Sequence, residues 1–589
     1  MKEFLKYTLA TIVGIHISAL LLLLIGIGIA GSILLSKESS VTLKDHTFLV
    51  LDLDGTLTER STETPIDKIL GSSFKSQGLE QILNSIEKAR NNPYITGIYL
   101  QAGQLSASTA SLQEIRSALQ RFKESGKTII AYGDNYTQGL YYLASISNLV
   151  ALNPVGSVEW KGVSAQNFFY KDLLQKLGIE VQIFRVGSYK SAVEPFLREN
   201  MSPENKQQYT KLIQSVWKQI LQGVSESRRI STDSLNQFAD RGIFFAASQE
   251  YVKTHLVDTL LYRNQVREQL QRLTQSSKKE DPRLVSVEEF LRVAEESSVP
   301  EQKKQIAVYY AYGEIDSYVS SPDEEGINSR KVARDLRRLQ EDEDIKAVVL
   351  RVNSPGGSAF GAEQLWKAVS DLNKVKPVVV SMGGYAASGG YYMSVAAPTI
   401  VAEPTTLTGS IGIFGMVPCV EKTAQKVGIG IDRVLTNPHA DLYTITRPLS
   451  PAEKKLMQQM LERGYDLFIT RCAEGRKMSK EAIEKIAQGH VWTGVEAQHL
   501  KLVDQLGGIS KAITLAAEKA KIKGYTVQAY PETKGFFESL LEEDTYRKMK
   551  ARMSQFVPGY DFIEKTSYVI NNSSRFNVQT RIPYQLTIE

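Results

Sequence analysis

The chain has 589 residues, 42% of them hydrophobic and 23% charged, a balance that excludes collagen-like, low-complexity and wholly disordered chains. At about 150 residues per domain this length corresponds to roughly four domain-sized units. Seventy basic against 65 acidic residues leave a net charge of +5, too small over this length to point to nucleic acid. Two cysteines, Cys419 and Cys472, and six scattered histidines provide neither a disulfide framework nor a four-thiolate zinc site, and they speak against a His-rich metal centre.

The first element is apolar. Between Tyr7 and Leu35 there is no Asp, Glu, Lys or Arg, and about 20 apolar residues suffice to span a bilayer. Lys2 and Lys6 precede the run, which keeps the N-terminus cytoplasmic and sends the rest of the chain across, in a bacterium into the periplasm. Ala30-Gly31-Ser32 offers a competing reading as a cleaved signal peptide, but secretory apolar cores are usually only about 7–15 residues long. The length favours a retained single-pass anchor in the inner membrane over residues 1–40, touching lipid through residues 7–35.

Beyond the anchor, short Val/Ile/Leu runs alternate with helix-period segments. Phe48–Leu51, Ile98–Leu100 and Thr128–Ala131 read as buried strands, Leu79–Ala89 and Ser111–Phe122 as the helices between them. This β-α-β-α alternation predicts a mainly parallel sheet with helices on its faces and ligands beyond the strands' carboxyl ends. The first strand runs into Asp52-Leu53-Asp54-Gly55-Thr56-Leu57, which fits the D-x-D-G-T loop of haloacid-dehalogenase-like phosphatases, where one Asp attacks phosphorus beside Mg²⁺.

The pattern is then written a second time. Ile95–Leu100 lies against Ile345–Leu350, an offset of 250, at which Gly133 and Tyr141-Tyr142 fall on Gly383 and Tyr391-Tyr392. Gly156-Ser157-Val158 matches Gly409-Ser410-Ile411, Lys176–Ile179 matches Lys426–Ile429, and Leu256-Val257-Asp258 matches Leu502-Val503-Asp504. Ser202-Pro203 and Ser450-Pro451 each open a helical stretch. The expected organisation is a first repeat over 45–275, a charged linker over 276–304 with a short helix at Glu288–Glu296, a second repeat over 305–530 and an extension over 531–589. The repeat also argues against the phosphatase: the matching strand end reads Tyr310-Ala311-Tyr312-Gly313-Glu314-Ile315, so a strand running into a Gly turn is shared and the aspartates are not.

Where the copies differ, chemistry appears. The second holds Gly383-Gly384-Tyr385-Ala386-Ala387-Ser388-Gly389-Gly390-Tyr391 after the strand Pro377–Met382, a serine among small residues at a strand-to-helix turn. The amide of Gly389 can donate to a developing oxyanion, and Asn353-Ser354-Pro355-Gly356-Gly357-Ser358, after the adjacent strand, offers further amides. The first copy has Gln138 at the serine position and Ala102-Gly103-Gln104 at the Gly-Gly loop, but it places Lys190 in an apolar loop after the strand Val181–Val186, where the second copy has Ala440. One copy holds the serine without the lysine and the other the lysine without the serine. A lysine desolvated by apolar neighbours is neutral enough to act as a base, and Ser-Lys dyads are an alternative to Ser-His-Asp. His439 and His490 lie in turn-like segments with no evident orienting carboxylate.

At Tyr189–Phe196, Ser354–Gly357, Ala386–Tyr391 and Leu407–Gly412 the chain resembles the signal peptide peptidase SppA family in its long, tandem-duplicated, membrane-anchored form, over roughly residues 45–525. The resemblance implies an α/β architecture of two Clp-protease/crotonase-like domains, no metal or other cofactor, and a membrane-bound serine endopeptidase acting on cleaved signal peptides and other extended apolar peptides. It implies Ser388 as nucleophile, Lys190 as general base, Ser410 as the hydroxyl that orients the lysine, Gly357 and Gly389 as oxyanion hole, and a bowl-shaped homotetramer. The alternatives are a non-catalytic crotonase-like membrane scaffold and the phosphatase.

Overall fold

The computed structural model describes residues 42–61, 76–293, 304–316 and 326–532, the backbone of strand Gln579–Arg581, and isolated residues before position 22. The expected anchor lies almost wholly outside the described residues; among the described residues no helix is long and apolar enough to cross a membrane.

The first repeat runs β1 (Thr47–Thr58), α1 (Leu79–Asn91), β2 (Ile95–Ser106), α2 (Thr109–Glu124), β3 (Thr128–Gly133), α3 (Gln138–Ala144) and β4 (Leu149–Leu152). These strands form one parallel sheet in the order Ser76–Gly78, β1, β2, β3, β4, Thr259–Leu260. Its strands read as continuous apolar runs because helices cover both faces: Leu49, Ile98, Leu100 and Ile129 are fully buried. Helix α1 turns Leu79, Ile82, Leu83, Ile86 and Ala89 inward at three- and four-residue spacing, the stripe of an amphipathic helix. Strand β5 (Glu180–Val186) and the long helix α4 (Pro203–Arg228) follow.

The second repeat runs β6 (Gln305–Tyr312), α5 (Ser329–Glu341), β7 (Ile345–Ser354), β8 (Gly356–Ser358), α6 (Ala359–Val375), β9 (Val378–Ala387), α7 (Gly389–Ser394), β10 (Leu407–Gly409), β11 (Ile413–Cys419) and α8 (Pro451–Arg476). Its main sheet is ordered Val491–Thr493, β10, β9, β7, β6, β12, where β12 is Thr526–Tyr530; only the outermost Val491–Thr493 runs antiparallel. Part of the charged connector joins the fold: Leu284–Ser286 adds to β1 in parallel and the helix Val287–Arg292 buries Phe290.

Equivalent hydrogen bonds recur in the two repeats. Tyr141 donates to the Leu256 carbonyl at 2.7 Å, and Tyr391 to that of Leu502 at 3.1 Å. Arg228 pairs with Asp258 at 2.7 Å and Arg476 with Asp504 at 2.6 Å, and each aspartate also accepts a strand amide, Val150 or Ile400. Helices α4 and α8 are both 26 residues long, capped by Ser202 and Ser450 with Pro in the first turn, where a missing N–H costs nothing.

A third sheet joins the repeats. Its order is Gly326–Asn328, Glu314–Asp316, β8, β13, β11, β5, where β13 is the C-terminal strand Gln579–Arg581. Strand β5, from the first repeat, runs antiparallel to β11 of the second, with Glu180 opposite Cys419 and Val186 opposite Ile413. The hydrophobic interior is also shared: Ile306, Val308, Val349 and Val379 pack into the first repeat's core.

Candidate active site

The β5–β11 ladder decides what meets. Lys190 follows Val186 by four residues, and Ser410 precedes Ile413 by three, so continuing the antiparallel register brings Lys190 alongside Gly409-Ser410. There the Lys190 Nζ lies 2.8 Å from Ser388 Oγ, 2.9 Å from Ser410 Oγ and 3.1 Å from the Ser410 carbonyl. Lys190 is 1% exposed, Ser388 0% and Ser410 1%. Burial pushes the lysine pKa well below its ordinary value, since an ammonium there forfeits its hydration.

Ser388 sits at the sharp turn between β9 and α7 with φ 56° and ψ −113°, a conformation that costs a non-glycine residue about 1–3 kcal/mol. Its amide donates to the Gly409 carbonyl at 2.8 Å and its carbonyl accepts from Tyr392 at 2.8 Å, which pin the turn from both sides. A Cβ on Gly390 would come 2.8 Å from the Ser354 carbonyl, so the turn closes on β7 only with glycine there. Gly389 opens α7, where first-turn amides have no intrahelical acceptor.

On the facing strand, the Gly356 amide donates to Ser354 Oγ at 3.2 Å. Gly357 has φ 150°, and a Cβ there would lie 2.2 Å from the Ile315 carbonyl. Strand β13 lies antiparallel between β8 and β11, with Thr580 opposite Gly357 and Gln579 opposite Phe414. An extended backbone thus fits the gap between these edges.

The remaining ionisable neighbours are occupied elsewhere. Glu194, near Lys190 in sequence, accepts from the Ser202 amide at 3.1 Å and from Asn205 Nδ2 at 2.9 Å. His490 stacks on Trp492 with ring centroids 3.7 Å apart, its Nδ1 is 2.8 Å from the Val491 carbonyl, and burial pulls its pKa down to about 4. Its contribution is the carbonyl that accepts from Ser410 N at 2.7 Å. His439 does have a carboxylate at hand, Glu453 at 3.6 Å, which the sequence did not reveal; Arg447 holds that carboxylate in two hydrogen bonds.

In the first repeat the equivalent positions are built over. Gln138 is fully buried, accepts from the amides of Lys161 and Gly162 and donates to the Gly162 carbonyl. Asp54 accepts from the Gln104 amide at 2.9 Å, and a Cβ on Gly103 would meet its side chain at 2.8 Å. The phosphatase-like segment therefore braces Ala102-Gly103-Gln104, which lies within strand β2 rather than in a loop.

The model of the family described as Peptidase family S49 matches this chain twice, over residues 121–277 and 370–523. The chain belongs to peptidase family S49. It is a serine peptidase with two S49 domains. "Protease 4" of Salmonella typhi is 38% identical over 542 residues, covering 89% of this chain and 86% of that protein. "Protease 4" of Haemophilus influenzae is 34% identical, covering 92% and 91%, and "Serine protease SPPA, chloroplastic" of Arabidopsis thaliana is 32% identical, covering 77% and 67%. A solved structure of a ClpP1 mutant from Listeria monocytogenes aligns over 36% of this chain and 95% of its own at 16% identity and a TM-score of 0.23, too low to carry an argument.

Sequence reasoning missed three features of this S49 chain: the β5–β11 ladder, the strand β13 in the cleft, and a buried cluster around Arg351. The ladder had a signal, the strand pattern just ahead of Lys190. The cluster had none, because its members are 292 and 237 positions apart.

Proposed function

We propose that this S49 peptidase cleaves peptide bonds with Ser388 as nucleophile and Lys190 as general base, and that its substrates are cleaved signal peptides and other extended apolar peptides at the membrane. The observation that carries this reading is the buried Lys190 amine between the hydroxyls of Ser388 and Ser410. The neutral amine takes the Ser388 proton as Oγ attacks the scissile carbonyl. Ser410, with its hydroxyl and carbonyl both on the amine, orients it. Amides of Gly357 and Gly389 flank the cleft on β8 and α7 and receive the oxyanion; the ammonium then returns its proton to the leaving amine, and water repeats the sequence on the acyl-enzyme. Support for an extended substrate comes from the β8–β11 gap, which the chain's own β13 fills as an antiparallel strand, the mode of β-strand addition.

The anchor over residues 7–35, with the peptidase domains on the periplasmic face of the inner membrane, belongs to the same reading and rests on the uncharged run behind Lys2 and Lys6. So does a homotetramer. The repeat offset places 430–436 where the first copy has β5, yet within one chain this segment forms no strand, and Ile429, Ile431 and Val434 are 57%, 49% and 98% exposed. The first-repeat counterpart of β11, around residues 160–169, is likewise without a strand and exposes Phe168. A second copy pairing the two head to tail would repeat β5–β11 between chains, and such heterologous contacts form a ring when the rotation between copies closes.

The test is a fluorophosphonate reagent on the full-length protein. Labelling at Ser388, absent in Ser388→Ala and independent of Mg²⁺, with hydrolysis of a signal-peptide substrate lost in the same variant, is the expected result. Hydrolysis surviving Ser388→Ala would overturn the assignment.

A further inference from the structure

Lys190 is not the only side chain that the first repeat sends across. Glu59, just past β1 and 4% exposed, accepts from Arg351 Nε at 2.8 Å and from the same guanidinium's second nitrogen at 3.2 Å. It also accepts from Asn353 Nδ2 at 2.8 Å. Arg351, 1% exposed, donates in addition to Glu114 Oε1 of α2 at 2.5 Å and to Ser381 Oγ of β9 at 3.0 Å.

The location of this cluster matters. Strands β7 and β9 lead to the two halves of the site, β7 into Gly356-Gly357 and β9 into Ser388. Their ladder is regular to Val352 opposite Met382 and then slips, so that Ser354 lies opposite Ala386. Asn353 alone faces Gly383, Gly384 and Tyr385, a bulge that leaves strand amides without ladder partners. Asn353 Oδ1 accepts from the Tyr385 amide at 3.1 Å, and the Glu59 carboxylate sits on the bulge so closely that a Cβ on Gly383 would come 2.6 Å from Oε1. A second inter-repeat contact seats Ser108 against Gly384, where a Cβ would be 2.7 Å from its Oγ. The first repeat has Gln101 and Gly103 at the positions of Arg351 and Asn353, and its β2–β3 ladder ends at Ala102 opposite Gly133.

We infer that Glu59 is a positioning residue of the peptidase: through Arg351 and Asn353 it splints the bulge that sets Ser388 against Gly357. This rests on the reading of Ser388 and Gly357 given above. A carboxylate held by a guanidinium and an amide side chain is a stiff three-way brace. It comes from the opposite repeat, so the nucleophile and the oxyanion strand are aligned only when the two repeats are docked.

The test uses the full-length enzyme and two variants, Glu59→Ala, which removes the brace, and Asn353→Leu, which removes the bridge and leaves the Arg351 ion pairs. Exhaustive fluorophosphonate labelling counts assembled sites, and kcat is expressed per labelled site. A displacement of about 1 Å at reacting atoms costs on the order of 10²-fold. Both variants are therefore expected to label slowly but to full stoichiometry and to lose roughly that factor in kcat, with KM within about threefold and the alkaline ionisation of kcat/KM unmoved, because Lys190 keeps its surroundings. Glu59→Gln, which keeps an acceptor for Asn353, is expected to recover most of the rate. Reduced labelling stoichiometry with an unchanged kcat per labelled site would mean that Glu59 only stabilises the fold and would overturn the inference; so would full kcat in Asn353→Leu, the variant that decides if Glu59→Ala does not fold. Wild-type enzyme that hydrolyses peptide without labelling at Ser388 would instead overturn the site assignment beneath it.

Discussion

The two repeats share a frame and divide the chemistry. Tyr141 and Tyr391, Arg228–Asp258 and Arg476–Asp504, and the capped helices α4 and α8 occupy equivalent places. Between those fixed points the copies diverge reciprocally. Ser388 answers to Gln138, which is hydrogen-bonded into its own loop; Lys190 answers to Ala440; Arg351 and Asn353 answer to Gln101 and Gly103. The first repeat has become a supplier of side chains, Lys190 and Glu59, to a turn built by the second. The proposed mechanism accounts for this reciprocity, because one site at their junction needs only one serine and one amine.

The largest expected effect tests that division directly. Ser388→Ala and Lys190→Ala are each expected to lower kcat/KM for a peptide by at least about 10⁴-fold, with the double variant no worse than either single one, since residues acting as a unit are non-additive. The comparison also makes an expectation of the other copy. Gln138→Ser is expected to create no second reactive serine, because the lysine position that would serve it is Ala440, and fluorophosphonate stoichiometry should stay at one per chain. Two adducts per chain would show that the first repeat retains a site of its own.

The pH profile sharpens the role of the lysine. Desolvation lowers its pKa, so the neutral base accumulates as pH rises through the depressed value, and kcat/KM is expected to climb through one ionisation well below the ordinary lysine value of ~10.4. Lys190→Arg keeps a charge that cannot be lost and is expected to be inactive at every pH. Activity in that variant with an unchanged profile would hand the proton to another group; His490, already neutral above about 4, would not give an ionisation in the alkaline range.

Assembly tests the unpaired strand positions. Val434→Asp places a charge on the most exposed apolar side chain of the segment equivalent to β5. An unpaired charge buried at the proposed interface would cost about 2–5 kcal/mol, and the proposed tetramer is expected to fall to monomer at micromolar concentration in sedimentation velocity. Hydrolysis of a short soluble peptide is expected to change less than about threefold, because Lys190 and Ser388 meet within one chain. A variant that stays tetrameric would place the interface elsewhere.

The sequence carried much of this. The duplication, the parallel sheets and the Ser388/Lys190 reciprocity are all local or periodic signals, readable because a strand followed by small residues has few other uses. What could not be read is what depends on register across the chain. Glu59 looks like one more polar residue after a strand, and only the slip between β7 and β9 gives it a place. Asp52 and Asp54 show the opposite case: a motif spaced for phosphoryl chemistry, which the repeat already argues against, lies within β1, where Asp54 braces the Gln104 amide of β2. The strand-to-helix turn at Ser388 is legible from its neighbours, but its φ of 56° and the φ of 50° at Ser410 are not, since the latter is imposed by the β10 ladder and the His490 carbonyl.

The smallest expected effect concerns stability, and its sign follows from the same burial. Burial holds the Lys190 pKa well below its ordinary value in the folded chain, and on unfolding it becomes an ordinary lysine, with a pKa near ~10.4. Between the depressed folded value and that unfolded value, the unfolded chain binds a proton that the folded chain does not, so stability falls as pH is lowered across that window. Above it the lysine is neutral in both states and carries no penalty. Lys190→Met replaces the amine with an apolar group of similar length, removing the proton linkage along with the hydrogen bonds to Ser388 and Ser410. At neutral pH the linkage dominates, because a neutral intramolecular hydrogen bond contributes only about 0.5–1.5 kcal/mol net. The variant is therefore expected to melt about 2 °C or more above wild type near pH 7, with the gap closing and then reversing as pH approaches ~10. Thermal melts at four or five pH values would show it. A gap that widens with rising pH would mean that Lys190 is charged in the folded enzyme, and the base of the proposed mechanism would be lost with it.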